Sequence, residues 1–452
     1  MLYTNIKKKY DIIFIIPHMG QGGSQRVASN LINHWVKKEK TVLLIEFFPN
    51  KPLCHEVNDS VDRIFILNNS YINLRKYKKT IGNIIIKLLN VLKRAMPFTL
   101  VRLKQKNNIF IKNEGKGYIK DILIQKNTKF VIYLTHLLID VLKIDITSVV
   151  KIYYVMSFLF IPGDFRRLRR LRSVFKSVES KCVISFLGAT NIKTIMSSYG
   201  LNRRIIISER NDPNIQKLSD PWDFLRKKFY RLADVVTSNS KGSIETLKDF
   251  VPYDKLLYIP NPLTFNICSI EKKKRFKIIL CVGRLVKQKS IDTLLKAFSL
   301  MYKSIPSWHI LVVGEGPLKN ELINLSYRLK IFKRTHFMGY RKDIYRFYKI
   351  SSIFVMPSLH EGMPNSLMEA MCHEIPAIVS NSSPGPLELI KDQYNGYIFQ
   401  KMNIFDLRDK IYNLVKNENL RLEMGNRHRE FINDFSLNTI STHWESLIQK
   451  DI

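Results

Sequence analysis

The chain has 452 residues, more than one hydrophobic core usually serves, so two domains are the starting expectation. Its hydrophobic content of 45% is that of an ordinary globular protein and excludes global disorder. Lys and Arg outnumber Asp and Glu by 73 to 38, a formal charge of +35, so the chain should seek anions such as nucleic acid, an anionic membrane or phosphorylated substrates.

Lys7–Lys9 precede an apolar run ending at Ile16, but the run is too short for a secretory signal and stops at Pro17 without a small-residue cleavage site. It reads as a first β-strand, Ile12–Ile16. Further strands are predicted at Thr41–Glu46, Arg63–Leu67, Cys182–Phe186, Ile205–Ser208, Val235–Ser238 and Leu256–Ile259. Helical spacing fits Ser24–Lys37, Ile192–Tyr199, Pro221–Ala233 and Gly242–Phe250. The second half repeats the alternation, with strands at Lys277–Val282, His309–Val313, His336–Met338, Ile353–Met356, Ala377–Ser380 and Tyr397–Phe399. Helices fall near Ile291–Tyr302, Pro317–Leu329, Asp343–Ile350, Ser366–Cys372 and Pro386–Lys391. Strands alternating with helices indicate βαβ units and parallel sheets, an α/β fold. The expected division is an N-terminal Rossmann-like domain over 1–260, a linker over 261–275 and a C-terminal Rossmann-like domain over 276–436. The last helix, within 437–452, is expected to return to the first domain.

Between Leu67 and Cys182 lie far more residues than a crossover needs. Within this insertion, about 71–161, Tyr71–Lys129 is rich in Lys and Arg, and Ile84–Leu92 places apolar residues among Lys87, Lys93 and Arg94. A second basic cluster, Arg166–Arg170 with Arg172, precedes the Cys182 strand. Two readings stand: an inserted helical subdomain with a solvated basic face, or a helix lying on an anionic membrane. A spanning helix is not expected, because the longest apolar stretch, Phe130–Ile161, is broken by Asp140, Lys143, Asp145 and Lys151.

The chemistry-bearing residues sit where strands end. Pro17-His-Met-Gly-Gln-Gly-Gly-Ser24 follows the first strand, and Gly22 and Gly23 at a helix start let backbone approach an anion closely; a tight turn is the plainer reading. In Val282-Gly-Arg-Leu285, Gly283 precedes Arg284, which could grip a diphosphate with two parallel hydrogen bonds, with Lys289 as a point charge. Gly314 and Gly316 form a glycine turn after the next strand. Then comes Pro357-Ser-Leu-His-Glu-Gly-Met-Pro-Asn-Ser-Leu-Met-Glu-Ala370, with Glu361 on a loop and Glu369 eight residues on in a helix. Ser366 to Glu369 also has the spacing of a capping box, in which Glu369 would merely bond backbone. There is no Asp-x-Asp triplet, no ligand spacing among the histidines and no paired cysteine motif, so no metal site is expected.

Taken in order, the glycine loop, Gly-Arg-Leu with its following Lys, Gly-Glu-Gly-Pro, the two glutamates eight apart and Ser383-Pro-Gly-Pro-Leu-Glu388 resemble the retaining glycosyltransferase family 4, of the kind that builds bacterial surface polysaccharide or lipid-linked oligosaccharide. The resemblance covers Asp11–Phe48 and about Lys181 onward. It implies the GT-B fold, two facing Rossmann-like domains with parallel sheets and a cleft between them. It implies that Arg284 and Lys289 bind the donor diphosphate, that Glu361 holds the transferred sugar and that Glu369 holds the ribose. Gly283, Gly314, Gly316, Gly362, Met363, Pro364, Asn365, Ser366 and Leu367 would complete the donor site. Gly22, Gly23, Ser24, Arg210 and Asn211 would face the acceptor. Arg210, after Glu209, stands where many such enzymes carry a histidine. No cofactor is implied beyond a nucleoside diphosphate sugar as co-substrate, UDP being favoured, with a hexose or N-acetylhexosamine passing to a lipid-linked or polysaccharide acceptor. The implied location is cytoplasmic, peripheral on the inner face of the membrane, held to anionic lipid by segment 71–129.

Two other classes compete. A nucleic-acid-binding protein would interleave its cations with aromatics for stacking, and Tyr71, Tyr77 and Tyr118 are too sparse for that. A catalytically inactive GT-B partner subunit would be expected to lack some of Arg284, Lys289, Glu361 and Glu369, all of which are present.

Overall fold

A computed structural model describes residues 9–48, 55–66, 162–219, 222–263 and 275–449. The basic segment Tyr71–Lys129, the rest of the 71–161 insertion and linker residues 264–274 lie outside the described residues.

The first sheet contains β1 (Lys9–Ile16), β2 (Val42–Glu46), β3 (Asp62–Phe65), β4 (Glu179–Phe186), β5 (Arg204–Glu209), β6 (Val235–Ser238) and β7 (Leu256–Tyr258). Its strands run in the order β3-β2-β1-β4-β5-β6-β7, every pair parallel. Between them come α1 (Gly23–Lys37), α2 (Pro162–Ser177), α3 (Gly188–Ser198), α4 (Trp222–Phe229) and α5 (Lys241–Leu247). β1 is central because Ile12–Ile16 has no polar side chain to present to water. Ile12 pairs with Val42 on one side and Cys182 on the other, and the run is fully buried.

The second sheet contains β8 (Ile278–Val282), β9 (His309–Val313), β10 (Thr335–Phe337), β11 (Ile353–Met356), β12 (Ala377–Ser380) and β13 (Gly396–Phe399). Its order is β10-β9-β8-β11-β12-β13, again all parallel. Its helices are α6 (Ile291–Met301), α7 (Lys319–Arg328), α8 (Tyr345–Ile350), α9 (Asn365–Cys372), α10 (Pro384–Leu389), α11 (Ile404–Lys416), α12 (Glu418–Arg427) and α13 (Arg429–Ile432), followed by α14 (Leu437–Gln449). One face of the sheet packs on α6 and α11 through Leu294, Phe298, Leu407 and Ile411. The other packs on α8 and α9 through Tyr348, Leu367 and Met371. This is the GT-B architecture, and both sheets lie in one compact unit, Met1–Ile66 with Arg167–Ile452.

Two packing details bear on function. α14 does not stay with the second sheet: Ile440, Trp444, Leu447 and Ile448 share a core with Ile12, Phe14 and Cys182, and the Trp444 ring lies 5.7 Å from Phe186. A buried Trp and three aliphatics supply several kilocalories of apolar burial that ties the chain's end to its beginning. The basic run before β4 is not simply a solvated face. Leu168, Leu171, Val174 and Phe175 bury one side of α2 at helical spacing. Arg172 caps the end of α3 through the Ser197 and Tyr199 carbonyls at 3.0 and 2.6 Å, and the Arg167 guanidinium stacks 4.6 Å over Phe48. Among the described residues no helix is long and apolar enough to cross a membrane.

Candidate active site

Loops at the carboxyl ends of β1, β4, β5, β8, β9 and β11 meet around a cleft of about 420 Å³. In each sheet the strand order reverses here, between β1 and β4 and between β8 and β11, the place where parallel sheets leave a crevice for ligands. Gly22, Gly23, Ser24, Arg210, Asn211, Gly283, Arg284, Lys289, Gly314, Glu361, Gly362, Met363, Pro364, Asn365, Ser366 and Glu369 all line it. Of the residues the sequence points to, Gly316 and Leu367 are not at its wall. Gly316 packs its Cα on the Leu285 backbone, and Leu367 is fully buried in the core beneath α9.

The β8 and β11 loops are stitched together. Leu359 N donates to Gln288 O at 2.7 Å and Gln288 Nε2 donates to His360 O at 2.8 Å. Glu361 is held by its own N–H, which donates to Ser383 Oγ at 2.8 Å. Its carboxylate then meets the Lys289 ammonium at 2.5 Å. Arg284 on the same loop is exposed, and among the described residues no carboxylate pairs with it, so its five N–H donors are available to an anion. Gly314 has φ 145°, and a Cβ there would run into the Gly283 carbonyl. Only glycine lets these two loops lie backbone on backbone.

Glu369 does not close a capping box. α9 starts after Pro364, whose N-cap position carries no side-chain hydrogen bond, and Glu369 points into the cleft with its carboxylate 4% exposed. One oxygen accepts from Tyr348 OH at 2.8 Å, and the other pairs with Arg26 of α1. Burial and the neighbouring carboxylate push the Tyr348 hydroxyl well above the usual tyrosine range, so it stays a donor.

The two sheets also touch through Asn261. Its amide donates to Met363 O at 2.8 Å and to Asn365 Oδ1 at 2.6 Å. Its oxygen accepts from Asn239 at 3.3 Å and from the Arg210 guanidinium. Asn365 in turn donates to Gly23 O at 3.1 Å. Arg210 lines the cleft, but its guanidinium is turned inward, 4.6 Å over the Phe186 ring, and burial pulls it down to about 9. Its neighbour Glu209 accepts from Tyr230 OH at 2.7 Å and lies 3.6 Å from Arg226. Burial still pushes that carboxyl up.

Arg26, Tyr348 and Asn261 are among the residues that reading the sequence does not reveal as part of this site. Arg26 carries one usable signal, a cation in the first turn of a helix whose first turn has no acid. The helix dipole disfavours that placement unless an anion arrives from elsewhere. Tyr348 and Asn261 carry none, since their partners come from other elements. No group of His, Cys, Asp and Glu among the described residues could hold a metal ion.

Residues 265–431 match the family model described as Glycosyl transferases group 1. The chain is 27% identical over 308 residues, 68% of this chain and 85% of the relative, to an alpha-1,4-N-acetyl-D-galactosaminyltransferase of Campylobacter jejuni that acts on a PP-undecaprenol-linked glycan. It is 26% identical to a glycosyltransferase of Haemophilus influenzae, covering 68% of this chain and 86% of the relative. Its fold is similar to that of S. aureus TarM in complex with UDP, with TM-score 0.65, 16% identity and coverage of 98% and 100% of the two chains. Anabaena HepE with UDP and glucose gives TM-score 0.66 at 13% identity, with coverage of 98% and 100%.

Proposed function

We propose that this protein is a glycosyltransferase that retains anomeric configuration and moves a hexose or N-acetylhexosamine from a nucleoside diphosphate sugar, UDP being favoured, to a lipid-linked or polysaccharide acceptor in cell-surface glycan synthesis. The observation that carries the reading is the convergence on one cleft of Arg284 and Lys289 from the segment after β8 with Glu361 and Glu369 from the loop after β11 and from α9. Arg284 grips the diphosphate with Lys289 as a second charge, so no metal is needed to neutralise it. Glu361 accepts hydroxyls of the transferred sugar and Glu369 those of the ribose. The N-terminal turn of α9, with Gly362–Ser366, offers backbone N–H groups to sugar and phosphate. The acceptor enters from the Gly22–Ser24 and Asn211 side.

In the proposed step the bond from the anomeric carbon to the diphosphate oxygen breaks, and the acceptor oxygen bonds that carbon on the same face. The acceptor proton passes to the leaving phosphate oxygen, so no protein base is required. Cations fixed in a partly dehydrated cleft stabilise the charge that develops on the leaving group. UDP is favoured because both TarM and HepE have been crystallised with it, and a lipid-linked acceptor because the Campylobacter relative acts on one. The protein then works at the cytoplasmic face of the membrane, with basic segment 71–129 on anionic headgroups.

The test is binding and hydrolysis across a panel of nucleotide sugars, with purified protein and its Glu369→Ala variant. Binding of one donor, weakened in the variant, supports the reading. Binding of none, with salt-sensitive binding to nucleic acid instead, would sink it. Equal retention on anionic liposomes after deletion of 71–129 would remove the membrane part alone.

A further inference from the structure

The donor reading gives no task to Arg26, a cation at the wall of the cleft. Arg26 stands in the first turn of α1, just past the Gly22-Gly23 pair, where the helix dipole opposes a positive charge. What holds it is a carboxylate from the other sheet: its guanidinium pairs with Glu369 Oε1, while Glu369 Oε2 accepts from Tyr348 at 2.8 Å. Both oxygens of the residue assigned to the ribose are therefore engaged, one of them by a charge. A ribose hydroxyl is neutral, so it replaces an ion pair with a hydrogen bond to one charge only, at a loss. Arg26 also lines the same cleft as Arg284 and Lys289, so a diphosphate entering there brings a second anion within reach of the released guanidinium.

We propose that Arg26 is a positioning residue that exchanges partners, holding Glu369 across the cleft until a donor arrives and then turning to the donor's diphosphate as the ribose takes Glu369. The inference rests on the donor reading and adds a specificity to it. A nucleoside alone cannot displace Arg26, because it offers the guanidinium no anion in return. A nucleoside diphosphate can, because it supplies the hydroxyls and the replacement charge together. The enzyme would then reject nucleosides through Glu369 even though that residue never touches a phosphate.

The experiment is calorimetric titration of the full chain and of Arg26→Ala and Arg26→Lys with UDP and with uridine, or with the diphosphate and nucleoside of whichever base the donor panel selects. Wild type should prefer UDP strongly. In Arg26→Ala uridine should bind about tenfold tighter and UDP about tenfold weaker, each the size of one charge-assisted hydrogen bond. Arg26→Lys, which keeps the charge, should recover part of the preference. Uridine and UDP weakening by the same factor in Arg26→Ala would mean that Arg26 only braces the cleft, and the exchange would be wrong. An unchanged preference would overturn it equally, with the donor reading intact. Wild type that binds no nucleoside diphosphate at all would take down the donor reading, and this proposal with it.

Discussion

Lys289 and Glu361 are 72 residues apart and share a 2.5 Å ion pair at the reversal point of the second sheet. Their side chains are 16% and 9% exposed, so neither charge is fully hydrated and each orients the other. Lys289→Ala should lower donor turnover by about a hundredfold, the usual loss when one fixed charge at a developing anion is removed. It should also cost about 1–3 kcal/mol of stability, because Glu361 is left without its counter-charge. Lys289→Arg should fall between, since a planar fork does not reproduce a point charge. Initial rates of donor hydrolysis and a thermal melt decide it; a variant with unchanged turnover would count against the site.

Gly362 sets how closely the two sheets approach. A Cβ there would run into the Arg210 carbonyl oxygen and crowd the Asn239 side chain. These are backbone and buried groups that cannot yield cheaply. Gly362→Ala should therefore wedge the cleft open and leave each sheet's own packing intact. The expected signature is a donor KM raised about tenfold or more, a larger radius of gyration in solution scattering, and a melting temperature within a few degrees of wild type. Unchanged scattering with unchanged KM would show that the contact yields.

Asn261 is buried and serves four partners at once, Arg210, Asn239, Met363 O and Asn365. Removing it in Asn261→Ala leaves the Arg210 guanidinium, which is 4% exposed as a residue, with Ser208 Oγ at 3.3 Å in place of two hydrogen-bond partners. A loss of about 2–4 kcal/mol is expected from a buried charge and buried amides that each lose a partner. Asn261→Asp should recover part of the loss, because a carboxylate still faces Arg210, but not the donations to Met363 and Asn365. Chemical denaturation of the three proteins gives the order wild type, Asp, Ala.

The strands were legible because parallel strands buried on both faces read as continuous apolar runs, as in Ile12–Ile16 and Ile353–Met356. The loop residues were legible because they follow those runs directly: Arg284 lies two residues past β8 and Glu361 five past β11. The partners of those residues were not legible. Ser366 to Glu369 has capping-box spacing, yet Tyr348 and Arg26 outcompete the local backbone for the carboxylate. Arg210 looks like a surface residue until Phe186 and Asn261 close over it. The basic run before β4 hides the Leu168, Leu171, Val174 and Phe175 face that makes it a packed helix. Contacts between residues from 21 to 343 apart in the chain leave no periodicity to read, and here they are what completes the site.

His428 should make the fold acid-sensitive above the range in which carboxylates titrate. It is fully buried, its Nε2 lies 2.6 Å from Asn395 O as a donor, and burial holds its pKa down at about 4. In the unfolded chain it would titrate near its ordinary value of about 6.5. Between those values the unfolded state binds the extra proton, so the contribution is complete above about pH 6.5 and is lost as pH falls toward about 4, a total of ~3 kcal/mol. Asp11, held down at about 2 by its Lys181 hydrogen bond and pair and by Thr41 against an opposing burial effect, acts only at lower pH. His428→Gln can still donate to Asn395 O but does not titrate. It should be less stable than wild type at pH 7 by about 1 kcal/mol, and that gap should close or reverse by pH 4.5. Urea melts of both proteins at the two pH values measure this directly, and a gap that stays constant would mean that His428 does not titrate in this window.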